Sequence, residues 1–379
     1  MNTPYYIIYE ERIRRNLDLI KEVSERANAK IIMAFKANAL WKTFHIFREY
    51  GIASTASSLN EMQLANEELG CLAHSYCPAY TESTIGHYMR GSSHITFNSI
   101  AQFSRFADTI REFASRPDGH AISCGLRVNP MCSVVDTDIY NPCGKGSRFG
   151  VTADKLPDKL PEGIEGFHFH ALCESDSHDL EKVLDAVESQ FGKYIPHLKW
   201  LNMGGGHLMT RKGYDIDHLV GLLDGLHSRY PDLELILEPG SAFTWRTGDL
   251  IASVVDVVEN SGISTIIADV SFACHMPDCL EMPYKPIISE ALPEGTASPH
   301  TYRIGGNSCL SGDFVGDWAF DHQVKEGEKL TFEDMNHYTT VKTNMFNGIG
   351  HPAMVLKRLN GSIEILREFN YLDYKNRMD

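Results

Sequence analysis

An apolar run in the chain delivers a lysine: Ile31, Ile32, Met33, Ala34 and Phe35 lead directly into Lys36. A lysine at the end of a buried strand loses hydration of its ammonium, so its pKa falls and its amine can form a Schiff base with a carbonyl. The same position also suits a lysine whose stem lies on apolar surface while its head reaches water. Two glycine turns bear on that choice. Gly204, Gly205 and Gly206 follow the run 200–203, and Glu238, Pro239, Gly240 and Ser241 follow the run 233–237. Glycines let backbone N–H groups close on an anion, so this pair of turns suits a phosphate. At its strand end, Glu238 can either pair with a cation in the core or keep a pyridine nitrogen protonated, which makes such a ring an electron sink.

His168 and His170 alternate with Phe167 and Phe169, so both imidazoles leave one side of a strand. One of them can stack on an aromatic ring. A histidine pair with Cys173 close by is also a familiar zinc arrangement. Further on, residues 305–313 form a glycine-flanked loop that presents Cys309 beside Asp313. Flexible flanks suit a positioned thiol, whereas most free cysteines are inert core residues. Tyr338 and the turn at Phe346, Asn347 and Gly348 complete the set.

Elements that position these residues can be read from periodicity. Eight short apolar, β-branched runs lie at 31–35, 52–55, 72–76, 95–97, 122–128, 166–170, 200–203 and 233–237. Amphipathic stretches separate them; Leu180, Val183, Leu184, Val187 and Phe191, for example, recur at helical spacing. Repeated βα units of this kind imply an α/β fold, a (β/α)8 TIM-like barrel, whose chemistry collects at the C-terminal strand ends and whose late loops hold phosphate. Near the start, Ile13, Leu17, Ile20 and Val23 trace a helical stripe after a strand-like stretch at 5–9. After Gly240 the texture turns β-rich, at 250–258, 263–270 and 341–345, with Gly, Pro and Asp between the runs. The expected division is a barrel over 28–240 and a β-rich domain over 241–379, joined by 1–27.

At 379 residues the chain exceeds ordinary single-domain size. A formal net charge of −15 opposes attraction to nucleic acid or anionic lipid, so neither is expected as a partner. No apolar stretch has bilayer length, and the N-terminus shows no signal-peptide pattern. Nine cysteines scattered through the chain fit reduced thiols and a cytoplasmic location better than a disulfide framework.

In order and type these elements resemble the fold-type III pyridoxal-phosphate decarboxylases, the ornithine and diaminopimelate decarboxylase superfamily, with an alanine racemase-like fold. The resemblance covers nearly the whole chain. It implies pyridoxal 5'-phosphate as cofactor, with Lys36 carrying it, His170 stacking on its ring and Glu238 binding its pyridine nitrogen. Gly204, Gly205, Gly206, Gly240, Ser241 and Tyr338 would surround the phosphate. Cys309 would act in catalysis from a neighbouring subunit, which makes the active form a homodimer with shared sites. Within the superfamily, the strings 168–174 and 275–284 and the loop around Cys309 through Trp318 are most similar to the carboxynorspermidine/carboxyspermidine decarboxylases of polyamine biosynthesis. On that resemblance the substrate is a carboxylated polyamine, contacted by Glu238, Asp278 and Asp313; Asp278 equally suits a turn-capping role.

Two departures stand out. Ser241 occupies the place where ornithine and diaminopimelate decarboxylases often have an arginine, and Leu172 and Cys173 follow His170 where they have glycine and serine. A missing guanidinium removes a bidentate partner for a second carboxylate, which disfavours diaminopimelate. Rival readings are a diaminopimelate- or ornithine-type decarboxylase, a racemase on the same barrel, a bare cofactor carrier, and a metal-dependent hydrolase built on His168, His170 and Cys173. No residue is assigned as ligand to a resident metal.

Overall fold

A computed structural model of the protein describes residues 1–135 and 140–379. It divides into two compact units, Asn16–Phe243 and Met1–Arg15 with Thr244–Asp379. The first strand of the chain, β1 (Tyr5–Tyr9), lies in the second of these units.

Unit Asn16–Phe243 is a parallel barrel. Its strand segments are β2 (Ala29–Ile31), β3 (Met33–Ala34), β4 (Ser54–Ala56), β5 (Ala73–Tyr76), β6 (Ser92–Phe97), β7 (Ser123–Arg127), β8 (Ile164–His168), β9 (Trp200–Asn202) and β10 (Glu234–Leu237). They pair in the order β2-β10-β9-β8-β7-β6-β5-β4-β3. All eight expected runs are therefore strands, and the first is split. At the split, the Ile32 N–H donates to Leu237 O and the Met33 N–H to Ala53 O, each at 2.9 Å. One half of the strand thus serves β10 and the other serves β4, which closes the ring of hydrogen bonds.

The helix Ser177–Phe191 buries the anticipated stripe of Leu180, Val183, Leu184, Val187 and Phe191. It starts where it does because the Asp176 carboxylate accepts the N–H groups of His178 and Asp179, donors that the first turn otherwise leaves unpaired. Asp215 caps the helix Ile216–Arg229 in the same way, through the His218 N–H. In the helix Glu10–Arg26, Ile13, Leu17, Ile20 and Val23 are all buried. Among the described residues, no helix is long and apolar enough to cross a membrane.

The other unit is built on a mixed sheet. Its remaining strands are β11 (Gly248–Asn260), β12 (Ile263–Ala268), β13 (His300–Gly305), β14 (Phe314–Phe320), β15 (Lys329–Phe332), β16 (Ala353–Lys357) and β17 (Ile363–Arg367). The order is β14-β13-β12-β11-β1-β16-β17, with β15 paired to β11. Strand β1 joins it as expected, antiparallel to β11 and parallel to β16. The run 341–345 is not a strand. Thr339–Lys342 forms one helical turn, and Asn344 spends its hydrogen bonds on the Ala273 and Cys274 carbonyls rather than on a sheet neighbour. Period-2 apolarity was too short there to compete with those local bonds.

Buried imidazoles give the fold a pH signature. His94, His207 and His275 are pushed down to about 4, first of all by burial. In the unfolded chain each protonates near 6.5, so between about pH 6.5 and 4 the unfolded state binds more protons and stability falls as the pH is lowered. Glu238, whose pKa is lowered, adds stability at neutral pH that is also lost on acidification. The thermal midpoint is therefore expected to drop steadily from about pH 7 to pH 5; a flat midpoint over that range would contradict the assignment of these groups.

Candidate active site

Several strand ends of the barrel open on one cavity of about 1040 Å³, lined by Lys36, Tyr76, Arg127, His168, His170, Gly205 and Glu238, and by Asn141, Lys145, Arg148 and Phe149. Lys36 stands two residues past β3, inside a turn closed by the Ala37 N–H on Ala34 O at 3.1 Å. Its amine reaches the water of the cavity. The walls still lower its pKa, burial first and then the Arg127 guanidinium, against the opposing pull of Glu238.

Glu238 is 8% exposed and held at both oxygens: Asn202 Nδ2 donates to Oε1 at 2.6 Å, and His168 Nε2 lies 3.3 Å from Oε2. Burial alone would raise its pKa. His168, those two hydrogen bonds and Lys36 together outweigh it, so the group stays a carboxylate. Burial pushes the His168 imidazole down, so it stands neutral, donating through Nε2 and leaving Nδ1 without a partner. The neutral donor is the state that the buried ring favours, and Glu238 keeps its charge between this N–H and that of Asn202.

His168 does not stand alone. Its ring stacks on Tyr76 with centroids 5.4 Å apart, and the Arg127 guanidinium lies 4.7 Å from the Tyr76 centroid and 4.5 Å from that of Phe149. A layered wall of Phe149, Arg127, Tyr76 and His168 thus ends on Glu238. Among the described residues no carboxylate pairs with Arg127, and cation–π contacts of this desolvated kind help to hold its guanidinium. Arg127, Tyr76 and Asn202 were not singled out in the sequence. The signal was present, because each is the last residue of its strand, as a barrel site requires.

His170 lies just beyond β8. Its Nδ1 accepts the Gly205 N–H at 3.0 Å, and burial, then Lys36 and Arg127, keep the ring neutral with its proton on Nε2. The glycine turn is compressed around it. A Cβ on Gly205 would sit 2.6 Å from Glu238 O, and one on Gly206, at φ 94°, 2.4 Å from the Leu172 carbonyl. Gly204 donates its N–H to Asn202 Oδ1 at 2.9 Å, and a Cβ on Gly240 would meet that of Ala37 at 2.5 Å. Ser241 is buried and opens the short helix Ser241–Thr244.

The remaining candidates gather in the mixed-sheet unit. Cys309 is exposed, and its N–H donates to Asn347 Oδ1 at 2.8 Å. Asp313, expected at the substrate, is buried with both oxygens engaged: Ala273 N–H on Oδ1 at 2.9 Å and Ser308 Oγ on Oδ2 at 2.6 Å. Its contacts fix the loop that carries Cys309. Asp278 begins the helix Asp278–Glu281, and its Oδ1 accepts from Lys342 Nζ at 2.6 Å, an ammonium shared with Glu281. Tyr338 precedes the turn Thr339–Lys342 at φ 53°, with Lys342 Nζ 6.0 Å from its ring centroid.

An amine, a fixed carboxylate, a neutral imidazole and a side-chain-free turn around one cavity fit an aromatic aldehyde bearing a phosphate. They do not fit a hydrolytic metal centre: among the described residues His168, His170 and Cys173 form no ligand group.

The comparisons with known proteins agree with this geometry. A family model described as "Pyridoxal-dependent decarboxylase, C-terminal sheet domain" matches residues 22–336. A carboxyaminopropylagmatine decarboxylase of Synechocystis sp. is 45% identical over 376 residues, covering 99% of this chain and 95% of that protein. A carboxynorspermidine/carboxyspermidine decarboxylase of Campylobacter jejuni is 39% identical over 387 residues, covering 100% and 98%. The crystal structure of carboxynorspermidine decarboxylase from Campylobacter jejuni, complexed with norspermidine, superposes with a TM-score of 0.90 at 38% identity, over 100% of both chains. Diaminopimelate decarboxylase from Helicobacter pylori, complexed with L-lysine, gives 0.81 at 18% identity over 100% and 98%, a likeness of fold.

Proposed function

Because the chain belongs to the pyridoxal-dependent decarboxylase family, we propose that its barrel mouth holds pyridoxal 5'-phosphate and decarboxylates a carboxylated polyamine. The substrates we assign are carboxynorspermidine and carboxyspermidine, giving norspermidine and spermidine in polyamine biosynthesis. The observation that carries the chemistry is Glu238, kept as a carboxylate by Asn202 and His168 at the wall of the cavity that Lys36 lines. When bound, the cofactor supplies an electron sink for the pair left behind by departing carbon dioxide.

Lys36 would anchor the cofactor and, when displaced by the substrate amine, remain beside it as a weakly basic group. His170 would cover one face of the ring. Glu238 would hold the proton on the pyridine nitrogen, and Gly204, Gly205, Gly206, Gly240, Ser241 and Tyr338 would enclose the phosphate. Cys309 of a second copy would deliver the proton that replaces the carboxyl group, so the active form is a homodimer. Asp278 would face the cationic tail, sharing its charge with Lys342. Cysteines scattered through the chain and not joined in disulfides support a cytoplasmic location.

A second reading of the tail has its own support. The 45% identical relative is named for carboxyaminopropylagmatine, whose tail ends in a planar guanidinium rather than an ammonium, and the two ask for different carboxylate geometry. Purified holoenzyme incubated with carboxynorspermidine, carboxyspermidine, carboxyaminopropylagmatine, diaminopimelate and ornithine decides between them. Carbon dioxide and a polyamine product are expected from a carboxylated polyamine, with kcat/KM well above that for the last two. No release from any of the first three would overturn the proposal, and full turnover by Cys309→Ala would remove that thiol from the chemistry.

A further inference from the structure

Outside the lining of that cavity, the first turns of the helices Ser177–Phe191 and Ile216–Arg229 bring His178, Glu181 and His218 together, with one donor atom from each within 4.8 Å of the others. His178 and Glu181 are three residues apart and share a helix face. The His218 ring, from the second helix, stacks on His178 with centroids 4.0 Å apart at 24°.

Hydrogen bonding fixes how His218 presents itself. The buried Ser177 hydroxyl donates its single proton to Asp215 O at 3.0 Å, so toward His218 Nδ1, also 3.0 Å away, the same oxygen has to accept. In the neutral ring Nδ1 then carries the proton and Nε2 points a lone pair outward. That lone pair faces Glu181 Oε2 at 3.6 Å, one acceptor opposite another. A second proton on the ring or a metal cation between them resolves the conflict. A hydroxyl that holds the second nitrogen of an imidazole is also the arrangement that orients metal-bound histidines. On the far side, His178 Nε2 lies 3.7 Å from Asp215 Oδ2. Exposed side chains at His178 and Glu181 are free to close the remaining distance by rotation.

We propose that His178, Glu181 and His218 form a binding site for zinc or a chemically similar divalent transition ion, with Asp215 beside it. Two imidazoles and one carboxylate select such an ion over magnesium or calcium, which prefer all-oxygen ligands. The site ties together two helices, one following the segment that bears His170 and the other the segment that bears Gly204 to Gly206.

The holoenzyme, first dialysed against a chelator, is titrated with zinc chloride by calorimetry. One equivalent per chain is expected, absent from the His178→Ala, His218→Ala double variant. Because the chain has seventeen histidines, that difference is the measurement. Ser177→Ala keeps every ligand and is expected to weaken the site by roughly 10–100-fold, the usual effect of losing an orienting partner. Circular dichroism and cofactor absorbance check that each variant is folded. Equal zinc uptake by wild type and double variant would overturn the proposal, leaving Glu181 and His218 as an ordinary ion pair. Unchanged affinity in Ser177→Ala would overturn the orientation that motivates it.

Discussion

Lys36→Ala is expected to abolish the visible absorbance of the bound cofactor and to lower turnover by more than about 10²–10⁴-fold, the range for one positioned proton-transfer group. The larger loss follows because Lys36 would serve twice, as anchor and as base. The fold should survive. Burial and Arg127 disfavour the Lys36 ammonium in the folded chain more than Glu238 favours it, so the thermal midpoint of the cofactor-free protein should not fall. A lysine that merely reached for water would behave differently: absorbance and turnover would persist in the variant. Lys145 lines the same cavity and is the control, because Lys145→Ala should leave the absorbance in place.

Glu238→Gln keeps the shape of the side chain and removes its charge. Asn202 can still donate to the amide oxygen, but the amide nitrogen then meets His168 Nε2, donor against donor. The imidazole can answer by moving its proton to Nδ1, the atom that has no partner now. The structure should therefore tolerate the change while the ring nitrogen loses its counter-charge. A loss of about 10²–10³-fold in kcat is expected, the size of one preorganised electrostatic contact, with a smaller change in KM. Cofactor affinity should change little, since the amine and the glycine turn remain. If Glu238 served only as a salt-bridge partner for His168, turnover would stay near that of the wild type.

Much of this could be read before any coordinates. The barrel runs were legible because they recur as short, mostly apolar runs separated by amphipathic stretches, and β4 to β10 fall where they were expected. Lys36, His170 and Glu238 were legible for the same reason, as polar residues at strand ends. Arg127 and Asn202 met that criterion as well, yet their importance comes from neighbours far along the chain: Asn202 bonds Glu238 36 residues away, and Arg127 packs between Tyr76 and Phe149. No local pattern encodes such partners. Asp278 illustrates the same limit, because the ammonium on its carboxylate comes from Lys342, 64 residues on. Asp313 looked like a free carboxylate beside Cys309, and only the closed loop shows that its own neighbours occupy it. The break at Ile32 was equally invisible, since it arises from barrel closure and not from any breaker residue in the run.

Borohydride reduction of the holoenzyme followed by peptide mapping tests the central assignment most directly. Reduction locks the cofactor onto whichever amine holds it. The account predicts one phosphopyridoxyl group per chain, on the peptide bearing Lys36. A label on Lys145 or any other lysine, or no label in a protein that still releases carbon dioxide, would contradict it.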